Sequence, residues 1–448
     1  METPASGRAP ASLRACAAAT ALFGLTLALS PGTSAQADDL WTRSNLLGDP
    51  SGVRSALGTD GITLSAQDTE TLLGNVAGGL KQGATMQGVT TVTLQVDTGK
   101  AFNVQGGTFN ASALQIHGRP LTPYYLDDLQ AASGTEADNT TRLWELWYDQ
   151  SFAYGRADVK IGQQSIDNEF MASKYSALFV NTMAGWPLVP SDDLYAGGPA
   201  YPLSSLGVRL QAKPTDNQTV LVGVFDDNPP GGSFNNDPQS LDDGGIRFNL
   251  HTGALFIAEY QYAVNQPAIG QMAYGNEQTG LPGTYKIGFW YDTAPFPASD
   301  GSPAMHRNNY SFYGVVDQTV WRQAPGSPRT LNVFARVMGA PGDRNLISFA
   351  FNGGVTLTDP LPGRDNDQVG IDIGVGKLSD DAAVAAGATP GVETLIELTY
   401  QYQATPWWLI QPDLQYVINP GGGVPDPNHP TRQLRNEMVV GVRTAVTF

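Results

Sequence analysis

The sequence finishes on the run Met438-Val-Val-Gly-Val-Arg-Thr-Ala-Val-Thr-Phe448, whose side chains sort by parity. Met438, Val440, Val442, Thr444, Val446 and Phe448 fall on one face; Val439, Gly441, Arg443, Ala445 and Thr447 fall on the other. Successive side chains of a strand point to opposite faces, so this strand has one mostly apolar surface and one weak surface that carries an arginine. Lipid on one side and water on the other requires that arrangement, and a closed transmembrane barrel is assembled from such strands.

The same alternation recurs along the chain between Gly, Pro, Asn and Asp breaks. It predicts strands over Gly61–Asn75, Met86–Thr98, Gly106–His117, Thr141–Gln150, Gly155–Gln164, Ser205–Lys213, Thr219–Phe225 and Gly245–Ala263. It continues with Thr284–Asp292, Tyr310–Trp321, Arg329–Met338, Leu346–Thr356, Gln368–Lys377, Glu393–Gln403, Trp407–Ile418 and Glu437–Phe448. Most reach the ~9–11 residues that a tilted strand needs to cross a bilayer, and no segment approaches the ~20 apolar residues of a spanning helix. His251-Thr252-Gly253 could split Gly245–Ala263, but Ile246–Leu250 is too short to span. A single strand there also keeps the short turns on one side and the long loops on the other. The expectation is an all-β, antiparallel transmembrane barrel of 16 strands, with 18 possible. The turn from Val264 to Gly283 is unusually long for its side of the barrel.

The N-terminus fits export. Arg8 and Arg14 precede an uncharged stretch, and Ala35-Gln36-Ala37 offers a cleavage site, so residues 1–37 read as a signal peptide. The one cysteine, Cys16, lies inside it. Residues 38–60 read as a short periplasmic segment or plug, and 61–448 as the barrel. A terminal Phe on the last strand is the usual mark of outer-membrane barrels, and it implies recognition of the Phe448 strand by the barrel-assembly machinery. The formal net charge of −17 argues against nucleic acid, whose phosphates demand a basic face.

Alternation also sorts the side chains. Val208, Leu210, Ile287, Phe289, Val337, Ile396 and Leu398 are expected to face lipid, whereas Glu145, Asp149, Lys160, Arg209, Arg247, Glu259, Lys286, Arg336, Asp372, Glu397, Asp413 and Arg443 face the lumen. A soluble sandwich would show the same pattern turned inside out. The export signal, the terminal Phe and the strand number favour the barrel.

Several ordered stretches then carry a family resemblance: Gly74-Asn-Val-Ala-Gly-Gly79, Ser112-Ala-Leu-Gln-Ile-His-Gly118, Arg142-Leu-Trp-Glu-Leu-Trp-Tyr-Asp-Gln150, Gly162-Gln-Gln-Ser-Ile-Asp-Asn-Glu-Phe170, Gly185-Trp-Pro187, Gly197-Gly-Pro-Ala-Tyr-Pro202, Gly207-Val-Arg209 and Pro406-Trp-Trp408. Together they resemble the carbohydrate-selective porins of the OprB type. The resemblance implies an outer-membrane channel for glucose and related sugars, without a cofactor.

Sugar passage needs aromatic faces for the pyranose ring and polar groups for its hydroxyls, with binding weak enough for release. The longest loop, 166–204, is the candidate to fold inward. It carries Trp186 and Tyr195 with Asp192 and Asp193, and Trp186 is either a stacking platform or a packing anchor for the loop. On one face of Thr141–Gln150 stand Glu145, Trp147 and Asp149, with Glu145 a hydroxyl acceptor or a salt-bridge partner. Lys160, Arg209, Glu259 and Arg336 complete the expected lumen path. Arg142 has the opposite parity, which suggests a girdle or loop role.

Enzymatic readings find little support. His117, His251, His306 and His429 are scattered, and neither a nucleophile elbow nor a phosphate-cradling loop is present in the sequence. Asp226-Asp-Asn228, Asp237 and Asp365-Asn-Asp367 lack the Glu-closed spacing of a calcium loop and read as solvated turns. Two rivals remain: a non-conducting structural or adhesion barrel, and a secreted β-rich hydrolase.

Overall fold

The computed structural model describes residues 39–234, 236–266 and 280–448. Sixteen antiparallel strands close into one ring, each paired with its neighbours along the chain. The last ring strand, Glu437–Thr447, pairs with Trp408–Ile418 and also with the first, Ile62–Ala77, in a register running from Gln67↔Thr447 to Asn75↔Val439. Closure leaves no strand edge whose amides and carbonyls would face hydrocarbon without partners. A separate ribbon, Pro425–Asp426 with His429–Gln433, stands outside the ring.

Alternation located the strands to within a few residues. Thr141–Gln150 becomes Thr140–Phe152, and Glu393–Gln403 becomes Val392–Thr405. One expectation needs correction. The strand read over Gly245–Ala263 begins at Ala254 and runs to Val264. Before it, the amides of Ile246 and Arg247 both donate to the Asp242 carboxylate at 3.0 Å, which ties this stretch, Arg247 included, to the loop. Ile246, Phe248 and Leu250 therefore stay exposed outside the sheet. Residues 1–37, read as a signal peptide, lie outside the described residues, as does most of the long turn after Val264.

Parity predicts the two faces of the wall. On Val392–Thr405, Leu398 is 47% exposed whereas Glu397 and Thr399 are buried. Val439 is buried between the more exposed Met438 and Val440. At the foot of the first strand, the helix Val53–Thr59 helps enclose a cavity of about 550 Å³ lined by Leu47, Val53, Leu57, Ile62 and Leu64. The segment is fastened by the Trp407 indole donating to the Leu40 carbonyl at 2.7 Å and the Leu46 amide donating to Thr447 at 2.8 Å.

Candidate functional site

The segment between the strands Ala157–Gln164 and Ser205–Thr215 folds inward and crosses to the far wall. It is built from single turns at Ser176–Leu178, Thr182–Ala184, Leu188–Asp193 and Tyr195–Gly197. Such short turns leave most backbone groups without intrasegment partners, and a buried amide or carbonyl left unpaired costs ~1–3 kcal/mol. The wall supplies the partners.

Arg336 donates to the carbonyls of Met171, Met183, Ala184 and Gly185, and to the Asn352 side chain at 2.9 Å. Glu259 accepts the Met171 amide at 2.7 Å and the Tyr313 hydroxyl at 2.9 Å. Asp317 accepts the amides of Lys174 and Tyr175 and the Ser173 hydroxyl. Glu397 accepts the amides of Val180 and Asn181, and Gln411 donates to the Leu178 carbonyl. The wall is also cleared of bulk where the loop lies. On Gln368–Leu378 the inward positions include Gly370, Gly374 and Gly376. A Cβ at Gly370 would meet Leu178 at 2.8 Å, at Gly374 the Gln130 amide oxygen at 2.1 Å, and at Gly376 Leu188 at 2.4 Å. Glycine here permits close approach.

A second inward segment, 119–139, joins the first. The Thr182 amide donates to the Ala131 carbonyl at 3.0 Å and Gly134 to Val180 at 2.9 Å. Glu393 fixes it by accepting the amides of Leu129 and Gln130. Loop carboxyls in this layer sit in poor solvent. Burial pushes Glu136 up to about 7, against the hydrogen bonds it accepts from Thr122. It does the same to Asp192, with Glu393 adding repulsion, and drives Asp193 well above the carboxylate range.

The opposite wall carries a paired charge cluster. Arg209 stands between three carboxylates: its Nε meets Glu169 at 2.5 Å, Nη2 meets Asp149 at 3.1 Å, and Nη1 meets Asp158. Lys160 pairs with Glu169 and lies 4.5 Å from the Trp147 ring centre. Cross-strand register explains the grouping, because Asp149 faces Lys160 and Lys160 faces Arg209 on successive strands. Glu145 stands two residues before Trp147 and accepts the Ser165 amide at 3.2 Å. Two cations thus share a face with four carboxylates, a surface of acidic bias that offers both donors and acceptors.

The structure therefore brings Glu145, Trp147, Asp149, Lys160 and Arg209 together. It sets Glu259 and Arg336 apart, beneath the loop. Trp186 is 7% exposed, with its indole nitrogen donating to the Gly197 carbonyl at 2.8 Å, so it packs within the loop. Asp158 and Glu169 are additional members; Asp158 was legible as the residue two before Lys160. The segment 119–139 gave no signal of its own, but the alternate glycines of Gln368–Leu378 marked a wall made for close packing.

Two sequence readings change. Arg142 is on the inner face, directly opposite Leu114, because the register shifts between Ser112 and Ala113. The extra residue of the bulge reverses parity beyond it, and Arg142 meets Asp242 at 3.7 Å. Asp226 and Asp227 are buried rather than solvated, and Asp227 accepts the Thr252 hydroxyl at 2.8 Å.

The family model described as carbohydrate-selective porin, OprB family, matches residues 81–448. Porin B of Pseudomonas aeruginosa is 24% identical over 471 residues, spanning 95% of this chain and 96% of that relative. The high-pH structure of Pseudomonas putida OprB superposes with a TM-score of 0.77 at 21% identity, covering 91% of this chain and 99% of that one. The low-pH structure of the same protein gives 0.58 at 16% identity over the same shares. With a family match running through nearly the whole ring, and a lumen narrowed by its own loops, this chain belongs to the OprB family of carbohydrate-selective porins of the outer membrane.

Proposed function

We propose that this porin passes glucose and related small carbohydrates by facilitated diffusion along the wall made by Glu145, Trp147, Asp149, Lys160 and Arg209. The observation that carries the reading is the mixed cluster around Arg209, where Asp149 and Asp158 of the wall converge with Glu169 at the start of the inward loop. Arg209 and Lys160 donate to sugar hydroxyls, Asp149, Glu145 and Glu169 accept from them, and Trp147 offers an aromatic ring beside Lys160. Each group already has a partner within the protein, so a sugar exchanges one set of hydrogen bonds for another. Binding then stays weak and release fast. Trp186, Glu259 and Arg336 act on passage indirectly, by holding the loop that sets the width. The outer wall contacts membrane lipid, and the strand ending at Phe448 is the segment offered to the barrel-assembly machinery.

Proteoliposome swelling tests this reading. Vesicles carrying the porin should swell rapidly in glucose and much more slowly in a disaccharide, and Arg209→Ala should lower the ratio. Absence of swelling with any sugar would leave a closed, structural barrel as the better description.

A further inference from the structure

A third loop, 227–253, folds over the mouth that the long loops surround. It is tied to strands beyond its own: the Thr140 hydroxyl donates to the Asp243 carbonyl at 2.7 Å, the Leu143 amide to Gly244 at 3.0 Å and the Gln163 side chain to Gly245 at 2.8 Å. Between this loop and the turns Leu188–Asp193 and Tyr195–Gly197 lies a cavity of about 310 Å³. Small-molecule sites begin at roughly this size, ~300–1,000 Å³.

Its lining combines a fixed aromatic ring with polar groups that the chain leaves unused. Phe234 lines the cavity and stays half-buried, its ring centre 4.2 Å from that of Tyr195 and 5.5 Å from that of Phe296. Tyr195 is itself held, since its hydroxyl donates to the Pro295 carbonyl at 2.6 Å. Asp192 lines the same cavity, and its Oδ2 is buried with no hydrogen-bond partner among the described residues. A buried acceptor left unpaired costs ~1–3 kcal/mol, so this oxygen calls for a donor from outside the chain. Asn228 uses its Nδ2 on the Gly232 carbonyl at 2.8 Å, and Asn236 uses its Oδ1 on the Ser233 amide at 2.8 Å. The other end of each amide, an oxygen from Asn228 and a nitrogen from Asn236, is left without a partner among the described residues. The described lining holds no Lys, Arg or His.

We infer that this cavity is a capture site for a neutral hexopyranose, where the solute is first held before it reaches the Arg209 wall, a role that presupposes the sugar channel proposed for the lumen. A pyranose has a face of C–H bonds that lies flat on an aromatic ring, whose own face is electron-rich. Its rim of hydroxyls donates and accepts together. Phe234 takes the C–H face, Asp192 accepts from a hydroxyl, and the spare amide ends of Asn228 and Asn236 accept and donate beside it. An anion would be repelled by Asp192 and find no cation in the lining. A metal ion would find one carboxylate where a site needs several oxygen ligands. The ligand that suits every group is an uncharged polyol. Its hydrogen bonds replace those it made with water, so it is held briefly and passed on.

Two variants test the site without disturbing the loop. Phe234→Leu keeps apolar contact with Tyr195 and Phe296 but loses the flat ring, and Asp192→Ala removes a carboxyl that accepts no hydrogen bond among the described residues. In proteoliposomes, each variant should need severalfold more glucose than wild type for half-saturation of uptake. Uptake at saturating glucose and salt conductance in planar bilayers should stay at the wild-type level. Wild-type half-saturation in both variants overturns the inference, and so does a parallel change in salt conductance, which would make these residues mere supports of the mouth. Binding is read apart from passage with Phe234→Trp in mild detergent. Its fluorescence, taken as the difference from the wild-type chain, should shift on adding glucose, and Asp192→Ala in the same background should abolish the shift. A shift without glucose uptake would sink the channel reading and leave the site standing, whereas uptake without a shift would sink the capture site alone.

Discussion

The two inner walls of this barrel carry similar residue types and use them differently. On the far wall, Glu259, Asp317, Arg336, Glu397 and Gln411 are buried and engaged with the backbone of an inward loop. On the near wall, Asp149, Lys160 and Arg209 pair with one another and with Glu169. A lumen-facing charge is thus either a bracket for a loop or part of the path. What decides between them is whether it meets loop backbone or other charged side chains, which depends on contacts that local alternation does not specify.

The largest expected effect falls on the bracketed wall. Arg336→Leu removes a buried cation and strands several loop carbonyls, each worth ~1–3 kcal/mol. The loop should detach while the ring survives. Planar-bilayer conductance should rise severalfold, and glucose should no longer block the ion current. Arg336→Lys should recover little, since one ammonium group lacks the planar fork that reaches several carbonyls together. Unchanged conductance would erase the distinction between the two walls.

Arg209→Ala makes the contrasting change on the near wall. Arg209 is buried and its loss leaves three carboxylates uncompensated, so stability should fall by about 3 kcal/mol, but no loop carbonyl is stranded and conductance should hold. Selectivity should move instead: with Asp149, Asp158 and Glu169 no longer neutralised, reversal potentials in a salt gradient should turn further toward cations. A conductance jump like that of Arg336→Leu would mean that Arg209 is also a bracket.

The smallest effect comes from acidity in the loop layer. Burial raises Glu136 from 4.5 to about 7. For a carboxyl raised on folding, the folded chain binds the proton more tightly. Its stabilising share is complete below about 4.5 and fades as pH climbs through about 7. Hydrogen-exchange protection of the 119–139 segment should therefore fall modestly between pH 5 and pH 8, and Glu136→Gln should flatten the change.

Much of the ring was legible in the sequence because alternation, the requirement for one lipid face and the length of a bilayer crossing act on contiguous residues. The same local logic brought Glu145, Trp147, Asp149, Lys160 and Arg209 onto one surface, since pairing between successive strands preserves parity. It failed where an event is not periodic. The bulge near Ser112 turned Arg142 inward, and the Asp242 bracket held Ile246 and Arg247 out of the sheet. The division between brackets and path was hidden for a different reason. It depends on contacts such as Arg336 with Gly185 and Glu397 with Val180, between segments more than a hundred residues apart.

The far wall grips its loop mainly through backbone amides and carbonyls, with the Ser173 hydroxyl and the Asn181 side chain as side-chain exceptions. Away from those two positions the grip is blind to side-chain identity. Residues on the exposed rim of the loop can drift without loosening the constriction, so long as the cleared glycine track and the bracket residues persist. A barrel of this design can acquire a different solute preference by changing what the loop displays, while the machinery that keeps the passage narrow is inherited intact.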